Sequence, residues 1–301
     1  MIITNSIPKM KHKTSLTILL AAFCLIAFNS SQAQIRTPIA SPSGSVSGDV
    51  GLTTITVDYF RPGVKGRKVF GDGGMEAYGN IWRTGANSGS KITFSTDVKF
   101  GGKEVKAGEY LIFTIPNKDE WTAMLYSDIN LGGNVNGYDE ANEVARIQVK
   151  PEMLSKSVER LTFTIADISE DNTKANIRLE WADVAINLPI EVNFDEAVMK
   201  DIAAKTQVNP SNYIAAASYY FNTGKDLNKA LEWIDMYFAS GDNKGQFWNV
   251  HLKAQILAKM GKTKEAIATA EESMATAKAS ANGDFGYVKR NEDLIASLKK
   301  K

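Results

Sequence analysis

The chain has 301 residues, 44% hydrophobic and 23% charged, the profile of a globular protein long enough for two domains. Its formal net charge is +1, so no overall field favours nucleic acid or an anionic membrane, and any electrostatic function is local. One cysteine and two histidines leave no disulfide framework and no histidine-rich metal cluster.

Lys9, Lys11 and Lys13 precede an apolar run from Leu16 to Phe28, and small and polar residues then lead to Ser31-Gln32-Ala33. This is the three-part pattern of a secretory signal peptide cleaved before Gln34, and the run is short for a membrane anchor. Met10 is an alternative start. Cys24 lies inside the run. A lipoprotein reading would acylate it, but bulky Phe23 stands where such sites carry a small residue. Cleavage leaves 32 basic residues against 34 acidic, a net charge of −2, on a periplasmic or extracellular protein without cysteine.

Ile35 to Val50 is rich in Ser, Pro and Gly and reads as a linker or an irregular first strand. Leu52 to Tyr59 is β-branched and alternating, a strand. Arg61 to Asn87 follows, RPGVKGRKVFGDGGMEAYGNIWRTGAN, with Arg61, Lys65, Arg67, Lys68 and Arg83 among seven glycines. Its composition suits a shaped loop on a rigid scaffold. Lys91–Ser95 and Asp97–Phe100 are β-like. Gly101-Gly102 between VKF and KEV signals a hairpin. Glu109–Ile115 ends at Pro116, and Trp121–Tyr126 is the next strand. After a polar loop, Ser127 to Asn142, strands resume at Val144–Val149, Val158–Ile165, Ala175–Trp181 and Val184–Val192. Some nine short strands without helical periodicity predict an all-β sandwich or barrel.

The pattern changes at Asp195, which is placed to cap a helix through Ala203. Asn209-Pro210 opens Ser211–Asn222, which ends at Gly224. Leu227–Ala239, Phe247–Met260 (ending at Gly261), Lys264–Ala279 opened by Thr263, and Tyr287–Lys300 follow. Ala217, Tyr220 and Gly224 recur 37 residues on as Ala254, Leu257 and Gly261, and Ala230 recurs 36 residues on as Ala266. This resembles the tetratricopeptide repeat, whose helix pairs offer a concave peptide-binding face.

The β region carries Ser41-Pro42, Val57-Asp58-Tyr59, Arg61-Pro62, Lys65-Gly66-Arg67 and Tyr78-Gly79. It continues with Trp82-Arg83-Thr84-Gly85-Ala86-Asn87, Ile92-Thr93-Phe94, Ala107-Gly108-x-Tyr110, Phe113-Thr114-Ile115-Pro116 and Trp121. In these strings it resembles the bacterial family of unknown function catalogued as DUF2911. The resemblance runs from about Ser41 to Val192 and implies secretion and a compact β domain, with no activity attached. The loop LGGNVNGYDEAN departs from the more aromatic loop of relatives.

Candidate ligand-binding residues are Arg61, Lys65, Arg67, Trp82, Arg83, Thr84 and Asn87. Arginine forks grip carboxylate or phosphate, and an indole face stacks on a sugar, which predicts an anionic or carbohydrate ligand. The competing expectation pairs Arg83 and Arg67 with Asp58 or Glu76, buries Trp82, and gives Asn87 a turn to hold. Asp128, Asn130, Gly133 and Asp139 partly match a calcium loop, but Gly132 stands where a ligand is needed and Asp139 where a bidentate Glu is. They read as a polar connection. No metal or cofactor is expected. His251, the one histidine after cleavage, falls on a helix, and no carboxylate spacing singles out a catalytic pair. Tyr219, Tyr220, Trp233, Phe238, Phe247 and Trp248 are expected to fill the helical core or to line a groove for a protein or peptide partner.

The resulting plan is a signal peptide over 1–33, a β domain over 34–192 and a tetratricopeptide-like helical domain over 193–301. The expected function is non-catalytic binding in the cell envelope. The alternative is a carboxylate-based hydrolase of envelope glycans, which requires two carboxyl groups in one cleft near Trp82 or Trp121.

Overall fold

The computed structural model describes residues 37–206, 209, 211–241, 243 and 245–300. The signal segment, with Cys24 and the cleavage site, and Pro210 lie outside the described residues. The chain divides into two compact units between Glu191 and Val192.

The first unit is built from β1 (Ser43–Val50), β2 (Thr53–Phe60), β3 (Ser90–Phe94), β4 (Val98–Phe100), β5 (Lys103–Val105), β6 (Gly108–Ile115), β7 (Trp121–Tyr126), β8 (Glu143–Val149), β9 (Glu152–Ala166) and β10 (Lys174–Val192). One antiparallel sheet has the order β1-β2-β3-β6-β7-β8, and the other the order β5-β4-β10-β9. β1 runs beside β9 and β8 beside β5, so the two sheets close on each other at both edges. β2 shows why the faces segregate. Thr53, Ile55, Val57 and Tyr59 point inward and are buried, while Thr54, Thr56 and Asp58 point out.

The hairpin between β4 and β5 turns on Gly101 and Gly102, both at positive φ (53° and 83°). That is the geometry two-residue hairpins demand. A Cβ on Gly101 would stand 2.6 Å from the Ile147 side chain. Two sequence readings change. Ser43–Val50 is a full strand paired with β2, because Gly44 and Gly48 let it approach the Arg61 and Ile165 side chains closely. The last two predicted strands are one strand, β10, whose register shifts on either side of Ala182. Ala182 has φ 53°, and a β-bulge there bends the strand where the sequence reads as a break.

The core between the sheets centres on four aromatic rings. Phe70 meets Trp121 at 4.9 Å and Trp82 and Trp181 at 5.8 Å, all edge-on, and Trp82 stacks on Trp181 at 5.7 Å. Trp121 belongs to one sheet and Trp181 to the other, so the cluster bolts the sheets together. Tyr59 and Phe163, 4.9 Å apart, repeat the device.

The second unit has six helices: α1 (Asp195–Lys205), α2 (Ser211–Thr223), α3 (Leu227–Ala239), α4 (Phe247–Lys259), α5 (Thr263–Ala279) and α6 (Tyr287–Lys299). The pairs α2–α3 and α4–α5 are equivalent at the repeating positions. Ala217, Ala230, Ala254 and Ala266 are all 0% exposed, letting the helices approach. Gly224 (φ 71°) and Gly261 (φ 79°) take the left-handed turn that ends the first helix of each pair. Asp195 lies in the first turn of α1 rather than capping it. Its carboxylate accepts from the Tyr219 hydroxyl (2.7 Å) and pairs with Lys225 (2.8 Å), which tethers the C-terminal end of α2 to the start of α1.

Phe70→Ala removes the ring shared by all three tryptophans. We expect it to destabilise the β unit by about 3–5 kcal/mol, read from chemical unfolding followed by tryptophan fluorescence. An effect well under 1 kcal/mol would mean the sheets are held elsewhere.

Candidate functional site

The basic loop crosses from one sheet to the other. Gly63 forms a bridge with Arg160, Val64 N–H donates to the Glu159 carbonyl, and Leu161 N–H donates to the Pro62 carbonyl. The Arg61 guanidinium donates to the Leu161 carbonyl (3.4 Å) and the Thr162 hydroxyl (3.3 Å). Arg67 folds back onto its own turn, donating to the Val64 and Gly63 carbonyls at 3.0 and 2.6 Å. Lys65 is exposed at φ 49°, and its backbone N–H donates to Glu159.

Trp82 and Ser90 flank a bulge, Arg83–Gly89, and both residues pair with β6, opposite Thr114 and Ile112. Trp82 is 3% exposed, and its indole N–H donates to the Gly85 carbonyl at 3.2 Å. The buried Thr84 hydroxyl donates to the Trp82 carbonyl and meets the Thr114 hydroxyl at 3.0 Å. Thr84 holds φ 55°, unusual for a β-branched residue, and such strain persists only where surrounding contacts over-determine it. Asn87, also left-handed at φ 58°, donates to the Ser41 carbonyl, and Arg83 donates to the Gly133 carbonyl. The seven predicted residues therefore do not converge on an open ligand. Arg61, Arg67 and Arg83 serve backbone carbonyls rather than acids, and Trp82 offers no face for stacking. Trp121, the other tryptophan named for the hydrolase alternative, is also buried (1%).

The loop after β7 folds as three short 3₁₀ turns, Ile129–Leu131, Val135–Gly137 and Glu140–Asn142. Asp128, Asn134 and Asp139 each accept a backbone N–H two residues on. The calcium-like oxygens thus cap their own turns. Leu131, Val135 and Tyr138 pack on Leu111, Phe113, Met124 and Tyr126, covering the outer face of the sheet.

The helical unit presents a groove of about 710 Å³ lined by α2, α4 and α6, the alternate helices of the stack. Trp248 is 40% exposed there, while Trp233 and Phe247 are buried. The Arg290 guanidinium lies 4.7 Å from the centre of the Tyr287 ring. His251 enters the groove wall from a buried polar chain. The Asn291 amide donates to Ser273 Oγ (2.9 Å) and the Tyr287 carbonyl (2.8 Å), so its oxygen accepts from His251 Nδ1–H at 2.7 Å. The tautomer follows: Nε2 carries the lone pair and has no partner among the described residues. Burial pushes the imidazole below its ordinary pKa, and nearby Arg290 adds to this against the Asn291 hydrogen bond, so the ring stays neutral. No local pattern signals this chain of bonds, since Asn291 is 40 residues from His251.

Residues 41–190 match a protein family described as "Protein of unknown function (DUF2911)". No curated protein and no solved structure matches the chain. The DUF2911 match spans both sheets and stops short of the helices. The WRTGAN string within it is Trp82 and the first residues of the bulge just described, whose geometry accounts for the Trp, Arg, Thr, Gly and Asn positions.

Sequence reading also missed Glu76 beside this bulge as a titrating group. Burial pushes its carboxyl up to about 7, against the opposing pull of the Arg83 guanidinium. A carboxyl raised from 4.5 binds more protons folded than unfolded, so stability falls as pH rises from about 4.5 to 7 and then levels. We expect Glu76→Gln to flatten that fall. Above pH 7 it should melt roughly 2–4 °C higher than the parent, a figure discounted for partial exposure. Parallel melting curves for the two proteins would disprove the assignment.

Asn291→Ala leaves the buried His251 N–H and Ser273 hydroxyl short of a partner. We expect a loss of about 1–3 kcal/mol, with hydrogen exchange rising in α4 and α6. His251 has the opposite linkage. Its lowered pKa makes these helices lose stability as pH falls below 6.5, and His251→Gln should remove that acid sensitivity.

Proposed function

We infer that the chain is an exported, non-catalytic binding module of the cell envelope, whose helical unit holds a peptide segment of a partner protein. The signal-peptide pattern supports export. Among the described residues, no helix is long and apolar enough to cross a membrane. The observation that carries the binding role is the groove along α2, α4 and α6. Its lining carries two aromatic rings, Tyr287 and Trp248, the latter 40% exposed. Exposed rings of this size give large contact area for little lost side-chain freedom, as at recognition surfaces generally. Farther in, His251 Nε2 offers an acceptor, Gln255 and Asn249 offer amides, and Arg290 and Asp293 offer opposite charges. This mixture suits the alternating amides and side chains of an extended peptide. The tetratricopeptide-like pairing of α2–α3 and α4–α5 supports the same reading, since such stacks expose alternate helices on one concave face.

Selection of a displayed peptide library on the immobilised full chain tests it. Enriched sequences should bind the parent and lose at least tenfold in affinity against the double variant Trp248→Ala, Arg290→Ala, whose circular dichroism is unchanged. No enriched sequence, or equal binding by both proteins, overturns the reading.

A further inference from the structure

The outer face of the β unit carries a cleft of about 650 Å³ beside the WRTGAN bulge. Its floor is a row across adjacent strands. Ser45 of β1 pairs with Asp58 of β2, Asp58 with Lys91 of β3, and Lys91 with Leu111 of β6. Neighbouring strands lie about 4.8 Å apart, so the polar part of the row, from Ser45 to Lys91, spans roughly 10 Å. Phe60 and Ser43 form the next row, and Ser88, Ile129 and Gly132 stand as walls.

The walls are tied to one another. A Cβ on Gly89 would lie 2.7 Å from the Gly132 carbonyl oxygen, so the bulge and the covering loop touch backbone to backbone. Arg83 donates to Gly133 on that loop, and Asn87 donates to Ser41 at the entry to β1. The motif side chains therefore brace three sides of the cleft without entering it. Such bracing holds a ligand cavity open in advance of binding, and the volume is that of a small-molecule site.

The chemistry inside is specific. Lys91 is neutralised by Glu109 at 2.7 Å, while Asp58 has no ion-pair partner among the described residues. The Ser43, Ser45 and Ser88 hydroxyls are likewise free of side-chain partners among those residues. The cleft thus offers one carboxylate, three hydroxyls and apolar surface from Phe60, Leu111 and Ile129. An unneutralised carboxylate repels phosphate and carboxylate ligands. A carboxylate is acceptor-only and takes two hydroxyl donors at once, and aliphatic and aromatic surface covers the C–H face of a sugar ring.

We propose that this cleft binds a neutral, hydroxylated ring compound of mono- to disaccharide size, with Asp58 as its central acceptor. The assignment is independent of the peptide groove, which lies in the other unit.

The test is titration of the full chain with neutral hexoses and their disaccharides, with galacturonate and putrescine as charged comparisons, by calorimetry and saturation-transfer NMR. A neutral sugar should bind at millimolar concentration or better and outcompete galacturonate. It should also slow hydrogen exchange in 127–133. Asp58→Asn should weaken binding at least tenfold and Ser45→Ala several-fold, with melting temperatures near the parent's. If Asp58→Asn fails to fold, Ser45→Ala and Ser88→Ala carry the comparison. Absence of binding by every neutral sugar overturns the proposal. So does binding indifferent to all three substitutions, and so does a salt-sensitive preference for putrescine.

Discussion

Trp82 joins two things that the rest of the β unit needs. Its ring stacks on Trp181 of the opposite sheet, and its indole N–H holds the Gly85 carbonyl of the bulge. Backbone bonds to Thr114 fix its place on β6. The inter-sheet core and the outer loop geometry are therefore set by one side chain. A smaller ring would leave a void among Phe70, Trp121 and Trp181 and an unpaired carbonyl at the turn, two separate penalties at one position. Arg83 and Asn87 pass that placement outward, one to the covering loop and one to the start of β1.

The two units use buried polarity differently. In the helices, His251, Asn291 and Ser273 satisfy each other in sequence, ending on the Phe247 carbonyl. One lone pair is left over, at the wall of the groove. In the β unit, Glu76 is desolvated without a direct hydrogen-bond partner among the described side chains, and the Arg83 Nε–H is buried without one. A fully satisfied chain rigidifies its surroundings, whereas an incompletely satisfied pair leaves the region beside it sensitive to pH. The helical groove is thus built on a settled network, and the base of the bulge is not.

Much of the architecture was legible because it depends on local chemistry. Paired glycines at 101 and 102 dictate a tight hairpin, alternation in Thr53–Phe60 dictates an inward and an outward face, and Gly224 and Gly261 end helices. The misreadings have one cause. β1 read as a linker or an irregular strand because Ser and Gly lack strand propensity, yet those small side chains permit a regular strand packed close against β9. β10 looked like two strands because a bulge at Ala182 interrupts the alternation. Arg61, Arg67, Trp82 and Thr84 looked like a ligand surface because cations and glycines resemble an open loop. Arg61 and Thr84 reach Leu161, Thr162 and Thr114, far along the chain, whereas Arg67 and the Trp82 indole turn back onto carbonyls three or four residues away.

The partners these residues take in the fold bear on how the WRTGAN string is to be understood. A string as specific as WRTGAN invites the view that its side chains touch a ligand. Here all but Ala86 answer a demand of the backbone. Trp anchors, Thr tolerates a strained turn because both sides of its hydroxyl are engaged, Gly85 admits the Ser90 hydroxyl where a Cβ would stand, and Asn accepts left-handed φ while reaching Ser41. Arg spans to the covering loop with a long stem. What this string fixes is the shape of the surface beside it. Of the residues on that surface, Ser43, Ser45 and Asp58 sit on ordinary strands and Ser88 in the bulge itself. A search for function in this fold therefore looks next to the motif, at the side chains whose positions it guarantees.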